Sequence, residues 1–377
     1  MPRRTLLLVL LGLCAAGLPA QDLENIQIHG FATQGFLFSS NNNYLTMQST
    51  KGSLQWTEGA LSVTDPLTDK LRFGIQVHMY QMGQLGGPNV LVDWASGDYK
   101  VNDWLGFRAG KVKIPMGLYN DSQDLDSLFL WILLPQCMYG DDNRDFDLAL
   151  EGGEVYGGAD LERRGQVLYH GYVGESRLDA NGGYALQMAD YGLSFPTPPS
   201  GKVFGGDVRW QTPWRGFTVG SSAQSQALDG SGPQGTLHMP PAFLLAYYAE
   251  WTRGKLHIAG EYWRSPLQPV LTVGSAAIPV SADQRAWYSM ASYRLTQKLH
   301  VGSYYSHYVN KASDTSLAAN YSKDWVVSGR YDFNEYFYGK LEGHFLHGTG
   351  LGYYASANPN GLKPNSNMLA ARIGFSF

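Results

Sequence analysis

One pattern runs through this chain from end to end and limits what it can fold into. In stretches of about ten residues, every second side chain is apolar. Leu71, Phe73, Ile75, Val77 and Met79 alternate with Arg72, Gly74, Gln76, His78 and Tyr80. The pattern recurs at Phe243–Trp251, Trp287–Leu295 and Trp325–Phe333. A period of two is the period of a β-strand with two unlike faces. No helical period of 3.6 is sustained, and no second apolar run reaches the length of a membrane helix. The longest such run after the N-terminal segment, Phe129 to Pro135, is seven residues. A helical membrane protein is therefore excluded.

The connections alternate as strictly as the strands. Short turns are expected at Asp65–Asp69, Val101–Asp103, Glu162–Gly165, Pro213–Gly216, Arg253–Lys255, Thr296–Lys298 and Asn334–Tyr336. Longer loops are expected near Ser39–Lys51, Gly83–Pro88, Pro115–Arg144, Arg177–Gly201, Asp229–Pro241, Ser265–Asp283, Lys311–Ser322 and Gly348–Ser366. Fifteen connections of two kinds imply about sixteen strands, with all short turns at one end and all long loops at the other. Hydrocarbon offers backbone groups no water, so a sheet that spans it must close on itself. The expected fold is all-β: a transmembrane antiparallel β-barrel with short periplasmic turns and long extracellular loops. Aromatic residues gather near the short turns, at Trp104, Trp214, Trp251, Tyr293, Tyr331, Phe333 and Phe337. Rings at that height suit a membrane interface.

Composition agrees. Charged residues make up 16% of the 377, against about 25% in soluble domains. Gly (45) and Tyr (24) are abundant, and a net charge of −4 argues against a broad nucleic-acid-binding surface. Met1 to Ala20 reads as a cleaved signal peptide, with Arg3 and Arg4 ahead of a short apolar core and Ala20 at the cut. Residues 21–377 then form a single barrel domain, since no linker or shift in composition interrupts them. Cys137 is the one cysteine of that segment and makes no internal disulfide.

Two segments carry resemblances. Leu369, Ala371, Ile373, Phe375 and Phe377 alternate with small or polar residues up to the last position. This resembles the C-terminal signature of bacterial outer-membrane barrels, in which the terminal Phe is read by the barrel-assembly machinery. From Trp104 the chain reads WLGFRAGKVKIPMGLYNDSQDLDSLFLWILLP. With Arg108, Gly110, Lys111, Lys113, Pro115, Gly117 and the acidic stretch after them, it resembles the porin family that includes the phosphate-selective porins O and P. That resemblance implies a sixteen-stranded barrel, a third loop folded into the lumen, and commonly a homotrimer in the cell outer membrane of a Gram-negative-type bacterium.

The residues themselves support the loop. Pro115 to Arg144 is the longest connection, and its Phe129–Leu134 segment is too apolar to remain in water. Folded inside, the loop would narrow the pore and present Asp121, Asp124, Asp126, Asp141, Asp142 and Asp145 to basic wall residues such as Arg72, Arg330 and Arg372. Parity places Arg72, Arg108, Arg209, Arg294, Arg330, Lys340 and Arg372 on the lumen face. It places Asp93, Asp207, Glu250, Glu261, Asp332 and Glu342 there too. So even a balance predicts no strong ion preference. Lys111 and Lys113 stand at the foot of the loop as a candidate functional pair.

Catalysis finds no support. Ser303 and His307 share a face but lie about 13 Å apart along a strand, too far for a nucleophile and its base. His344 and His347 fall on opposite faces, and Gly152, Gly153 and Gly157 lie in a strand without the helix a phosphate cradle needs. The expectation is a porin: a water-filled channel for passive diffusion of small hydrophilic or ionic solutes, with outer-membrane lipids around it and no cofactor or metal. The alternative is a non-transporting barrel, either a lipase-like enzyme or a surface adhesin.

Overall fold

The computed structural model describes residues 25–377. The signal-peptide reading lies outside them. Sixteen long strands form one antiparallel barrel. The first eight are β1 Gln27–Ser39, β2 Trp56–Pro66, β3 Leu71–Met82, β4 Leu91–Asn102, β5 Leu105–Lys113, β6 Ala149–Asp160, β7 Gln166–Arg177 and β8 Ser200–Gln211. The others are β9 Phe217–Gly232, β10 Gly235–Arg253, β11 Leu256–Leu267, β12 Ala282–Arg294, β13 Leu299–Asn310, β14 Tyr321–Asp332, β15 Phe337–Gly348 and β16 Asn365–Ser376. Each pairs with its neighbours in sequence. β1 closes on β16 in register from Phe31 opposite Ser376 to Ser39 opposite Met368. Closure leaves no free edge, which is the condition for backbone to lie in hydrocarbon. No helix among the described residues is long and apolar enough to cross a membrane.

The faces sort inversely to those of a soluble protein. Phe73, Ile75, Phe107, Val173, Val208, Trp325, Leu341 and Ile373 point outward and are exposed. Gln76, His78, Glu154, Asp207, Gln224, Glu342, His344 and Arg372 point inward and are buried. A continuous apolar belt of this kind needs lipid or a partner to cover it. The aromatic side chains expected near the short turns lie on the outer surface, from Trp214 at 74% exposed to Tyr293 and Phe337 at 44%; only Trp251 is half-buried.

All seven short turns occur where the sequence puts them. Several are built by one device: a side-chain oxygen accepts from the N–H groups two or three residues on. Thr68 serves Lys70 and Leu71, Thr296 serves Lys298 and Leu299, and Asn334 serves Tyr336 and Phe337. The turn between β10 and β11 instead requires Gly254, whose φ is +62°.

Two expected loops are not loops. Residues 229–241, apart from the turn at Pro233 and Gln234, belong to β9 and β10, which run on past the rim as a ribbon with a bulge between Gln226 and Leu228. Within 265–283, strands Val270–Val273 and Ala276–Pro279 pair with each other, and the first also pairs with Gly235–His238. Beyond the barrel, these backbone groups bond one another instead of water. Leu228, Leu237 and Met239 also bury against Leu178. The third loop, residues 114–148 between β5 and β6, folds into the lumen.

Candidate functional site: the lumen and its third loop

An irregular loop pairs only some of its own backbone groups, here in tight turns such as Ser122 to Tyr119 and Met138 to Pro135, and each one left bare in a dry interior costs a few kcal/mol. Here the barrel wall supplies the partners. Glu342 accepts the N–H of Ile132 at 3.0 Å and of Leu133 at 2.9 Å. Glu261 accepts the N–H of Leu118 and, at 2.8 Å, the hydroxyl of Tyr139. The carbonyls are met by cations and hydroxyls. Lys340 donates to Asp126 at 2.7 Å and Trp131 at 3.0 Å, Arg330 to Ser127 and Phe129, and Tyr304 to Leu133 at 3.1 Å. On the other side Trp263 donates to Cys137 at 2.8 Å and Arg209 to Gly117 at 2.9 Å. The loop is thus held from several sides of the lumen.

Its apolar side chains are held as well. Leu118, Leu130, Trp131, Leu134, Cys137 and Tyr139 bury against Tyr248, Ala259, Ala286, Tyr288, Met290, Tyr304, Tyr308 and Val326. The Trp131 and Tyr304 rings meet edge to face, with centroids 5.0 Å apart. Cys137 is buried among them, which pushes its thiol far above the usual range. The sequence reading missed this aromatic stretch of wall. Its signal was present as inward-parity Tyr or Met on β10, β12 and β13, where a wet lumen calls for polar residues.

Several expected acids are consumed by pairing. Asp126 takes Arg372 at 2.6 Å, Lys340 at 2.9 Å and the Tyr338 hydroxyl at 2.7 Å. Burial acts to raise its pKa, but Lys340 and Arg372 outweigh it and hold the carboxyl at about 2. Asp124 pairs with Lys113 at 2.7 Å and accepts from Gln76. Asp142 is buried and accepts from Gln187 at 3.2 Å. Burial pushes Asp142 up to about 6, and Asp141, Asp145 and Asp147 up to about 7. Asp126 thus lies opposite the basic wall residue Arg372, Asp124 meets Lys113 instead of the named arginines, and Asp142 has no cation within ion-pair distance among the described residues. Of the acids expected on this loop, Asp121 is the one with an exposed side chain, and its carbonyl accepts from Lys113 at 2.9 Å.

The basic candidates divide. Arg330 and Arg372 meet the loop as expected, and Arg372 also takes Glu58 at 3.3 Å. Arg72 does not: it lies at the short-turn end of β3, below the loop, and lines a cavity of about 710 Å3. His29, Gln76, Trp94, Asp98, Arg108 and Lys113 share that vestibule, and Leu125, Ser127 and Leu128 reach down to it. Arg108 is tied to Asp98 at 2.9 Å and Glu154 at 3.0 Å and lies over the Tyr156 ring. Lys111 and Lys113 are not brought together. Lys111 donates to the Val92 carbonyl at 2.6 Å, while Lys113 turns to Asp124. Phe377 sits at the short-turn rim, where it exchanges backbone hydrogen bonds of 3.1 and 3.0 Å with Gly30.

Above the third loop, three other connections form a cover. Tyr44, Leu45 and Met47 of the first loop and Tyr354 and Ala357 of the last bury together with Ile132 and Leu133. Leu186, on the helix Gly183–Asp190, packs on the same cluster. Asn42 donates to the Lys363 carbonyl at 2.7 Å, and Asp190 accepts the N–H of Ala355 at 2.7 Å.

No family model matches the chain, and no curated protein does. Solved structures do. An anion-selective porin from Comamonas acidovorans is 12% identical with a TM-score of 0.59, over 93% of this chain and 98% of that one. The outer membrane channel DcaP of Acinetobacter baumannii is 9% identical with a TM-score of 0.57, over 93% and 97%. OmpT, an outer membrane protein of Vibrio cholerae solved in a trimer form, is 11% identical with a TM-score of 0.55, over 93% and 99%. At such identities the likeness is one of fold.

Proposed function

We propose that this chain is an outer-membrane porin that passes small hydrophilic or ionic solutes by passive diffusion. The observation that carries the reading is the third loop, held by named wall residues inside a closed barrel that is apolar outside and polar within. A folded-in loop narrows a channel, and charges fixed around the narrowing act on ions through a low-dielectric wall. No chemical step is needed, and the reading includes none. The long loops face outward from the cell and the short turns face the periplasm. Residues 1–20 are removed on export, residues 21–377 form the barrel domain, and Phe377 marks the last strand for assembly. A homotrimer fits, since one of the similar barrels was solved as a trimer.

The segment from Trp104 to Pro135 favours a place beside the phosphate-selective porins O and P. The pairing of Arg108 with Asp98 and Glu154, and of Arg372 with Asp126 and Glu58, leaves few cations free to strip water from an anion. The reading therefore includes weak ion selectivity. Planar-bilayer recording of the refolded, heat-modifiable barrel tests it. Discrete steps of small conductance, with a reversal potential close to zero in a salt gradient, are expected. Folded barrels that insert and pass no current would overturn it and favour a non-transporting surface protein.

A further inference from the structure

The outer surface near the long loops carries a feature that a solute channel does not need. On β11 to β15, basic residues on the lipid-facing parity lie directly opposite one another across strands. Arg264 faces Arg285, His307 faces Lys323, and Lys323 faces His347. Two arginines set opposite one another, or two lysines gathered at one place, repel across a sheet, so each group calls for an anion. Asp283 supplies one for the first pair, at 2.7 Å from Arg264 and 2.6 Å from Arg285. The second group has no such partner among the described residues. Lys311 and Lys323 crowd His307 around a pocket of about 330 Å3, with the hydroxyl-bearing Thr315, Ser316 and Tyr321 on its walls. The one acid in the adjoining loop, Asp314, is occupied by the N–H and hydroxyl of Ser316.

Just below, on the same outward parity, lies an apolar shelf. Tyr305 pairs across to Trp325 and Trp325 to Phe345, while Trp287 packs on Tyr305 with ring centroids 5.4 Å apart. Trp325 and Phe345 are more than half exposed. Aromatic rings at acyl-chain height beneath a cluster of cations and hydroxyls match a lipid with a phosphorylated headgroup.

The geometry points to a site for the phosphoglycolipid of the outer leaflet. Its phosphate monoester would sit among Lys311, Lys323 and His307, and its acyl chains would lie on the Trp287–Tyr305–Trp325 shelf. The inference rests on the outer-membrane reading above, with the long loops outward. It favours a glycolipid monoester over a glycerophospholipid diester for two reasons. A monoester carries up to two negative charges, and a sugar headgroup offers hydroxyls that Thr315, Ser316 and Tyr321 can meet.

The test uses the full barrel, purified in mild detergent and incubated with lipid A, dephosphorylated lipid A or phosphatidylglycerol, with lipid retained per barrel read by native mass spectrometry. Lys311→Ala/Lys323→Ala should lower lipid A affinity about 25-fold, about fivefold for each lysine. Lys70→Ala/Lys255→Ala, at the short-turn end, should leave it unchanged, and dephosphorylated lipid A should bind the parent as weakly as lipid A binds the first variant. Equal retention by the parent and the Lys311/Lys323 variant overturns the site, and so does equal retention of phosphatidylglycerol and lipid A by the parent. Bilayer conductance of the same preparations separates the two readings. If the parent conducts while lipid A binding ignores the lysines, the lipid site fails and the porin reading stands.

Discussion

Two parts of the lumen wall share the same alternating strands yet behave as different materials. Between β10 and β14 the inward residues include Tyr248, Tyr288, Met290, Tyr304 and Val326, all buried under the third loop. Between β1 and β5 they include Gln76, Asp98 and Arg108, around a cavity of about 710 Å3. Alternation decides only which residues face inward. What those residues are decides whether chain or water fills the space beside them. The loop therefore packs its apolar side chains on an aromatic wall, and the open space beneath it lies against a charged and polar one.

The sharpest way to break this contrast is to remove the loop. Deleting Asp121–Gly140 should raise single-channel conductance severalfold and weaken ion selectivity, because the part of the lumen now packed with protein would fill with water. A variant that folds, inserts and conducts like the parent would mean that the loop does not limit the current.

The next effect tests the grip rather than the presence of the loop. Asp126→Asn leaves Lys340 and Arg372 facing each other in a buried site without their shared carboxylate. Breaking such a pair costs about 3–5 kcal/mol. The midpoint of heat-modifiable unfolding should fall and channel noise should grow. Trp131→Ala should cost about 3–5 kcal/mol by loss of packing against Tyr304, yet it leaves the charges intact. If Asp126→Asn proves as stable and quiet as the parent while Trp131→Ala does not, dry packing alone holds the loop.

The two kinds of contact also show how far the sequence could be read. Strand number, closure, outward faces and the seven tight turns follow from a period of two and from turn residues such as Thr68, Thr296 and Asn334. The inward folding of the third loop follows from Phe129–Leu134 being apolar in a long connection. What did not follow was pairing. Parity put Arg72, Arg330 and Arg372 on one face, but whether a cation meets the loop depends on its height along the strand, and Arg72 is too low. Lys111 and Lys113 share parity yet part company, since Lys113 reaches the loop's Asp124 and Lys111 the Val92 carbonyl. The cover over the lumen was missed because Tyr44–Met47 and Tyr353–Tyr354 read as isolated apolar residues in polar loops. Only long-range packing joins them.

Acidity should sharpen the contrast further. Burial raises Asp142 to about 6 and Asp141, Asp145 and Asp147 to about 7. A carboxyl whose folded pKa lies above its unfolded value stabilises the docked loop fully below the unfolded pKa, near 3.8, and loses that contribution as pH rises through the folded one. Asp126 has the opposite sign: its contribution is present above 3.8 and is lost as pH falls towards 2. The loop should hold best near pH 4 and loosen between about pH 4 and 7. Current fluctuations should then grow across that range, and Asp145→Asn should flatten part of the rise. A pH-independent trace with normal insertion would show that these acids do not govern docking.

The smallest expected effect concerns the open side of the lumen. Arg72 lines the vestibule with no carboxylate bound to it among the described residues, unlike Arg108, which is held by Asp98 and Glu154. A charge beside water is screened within about 8–10 Å at ordinary salt, so its influence on passing ions is modest. Arg72→Glu should move the reversal potential by a few millivolts towards cations at low salt, and by less at high salt, with conductance little changed. Arg108→Ala acts on a neutralised cluster instead. It leaves Asp98 and Glu154 uncompensated, so it should shift selectivity in the same direction while also lowering stability. If Arg72→Glu altered conductance as strongly as the loop deletion, the vestibule and not the loop would set the current, and the division between a gripping wall and a conducting wall would have to be redrawn.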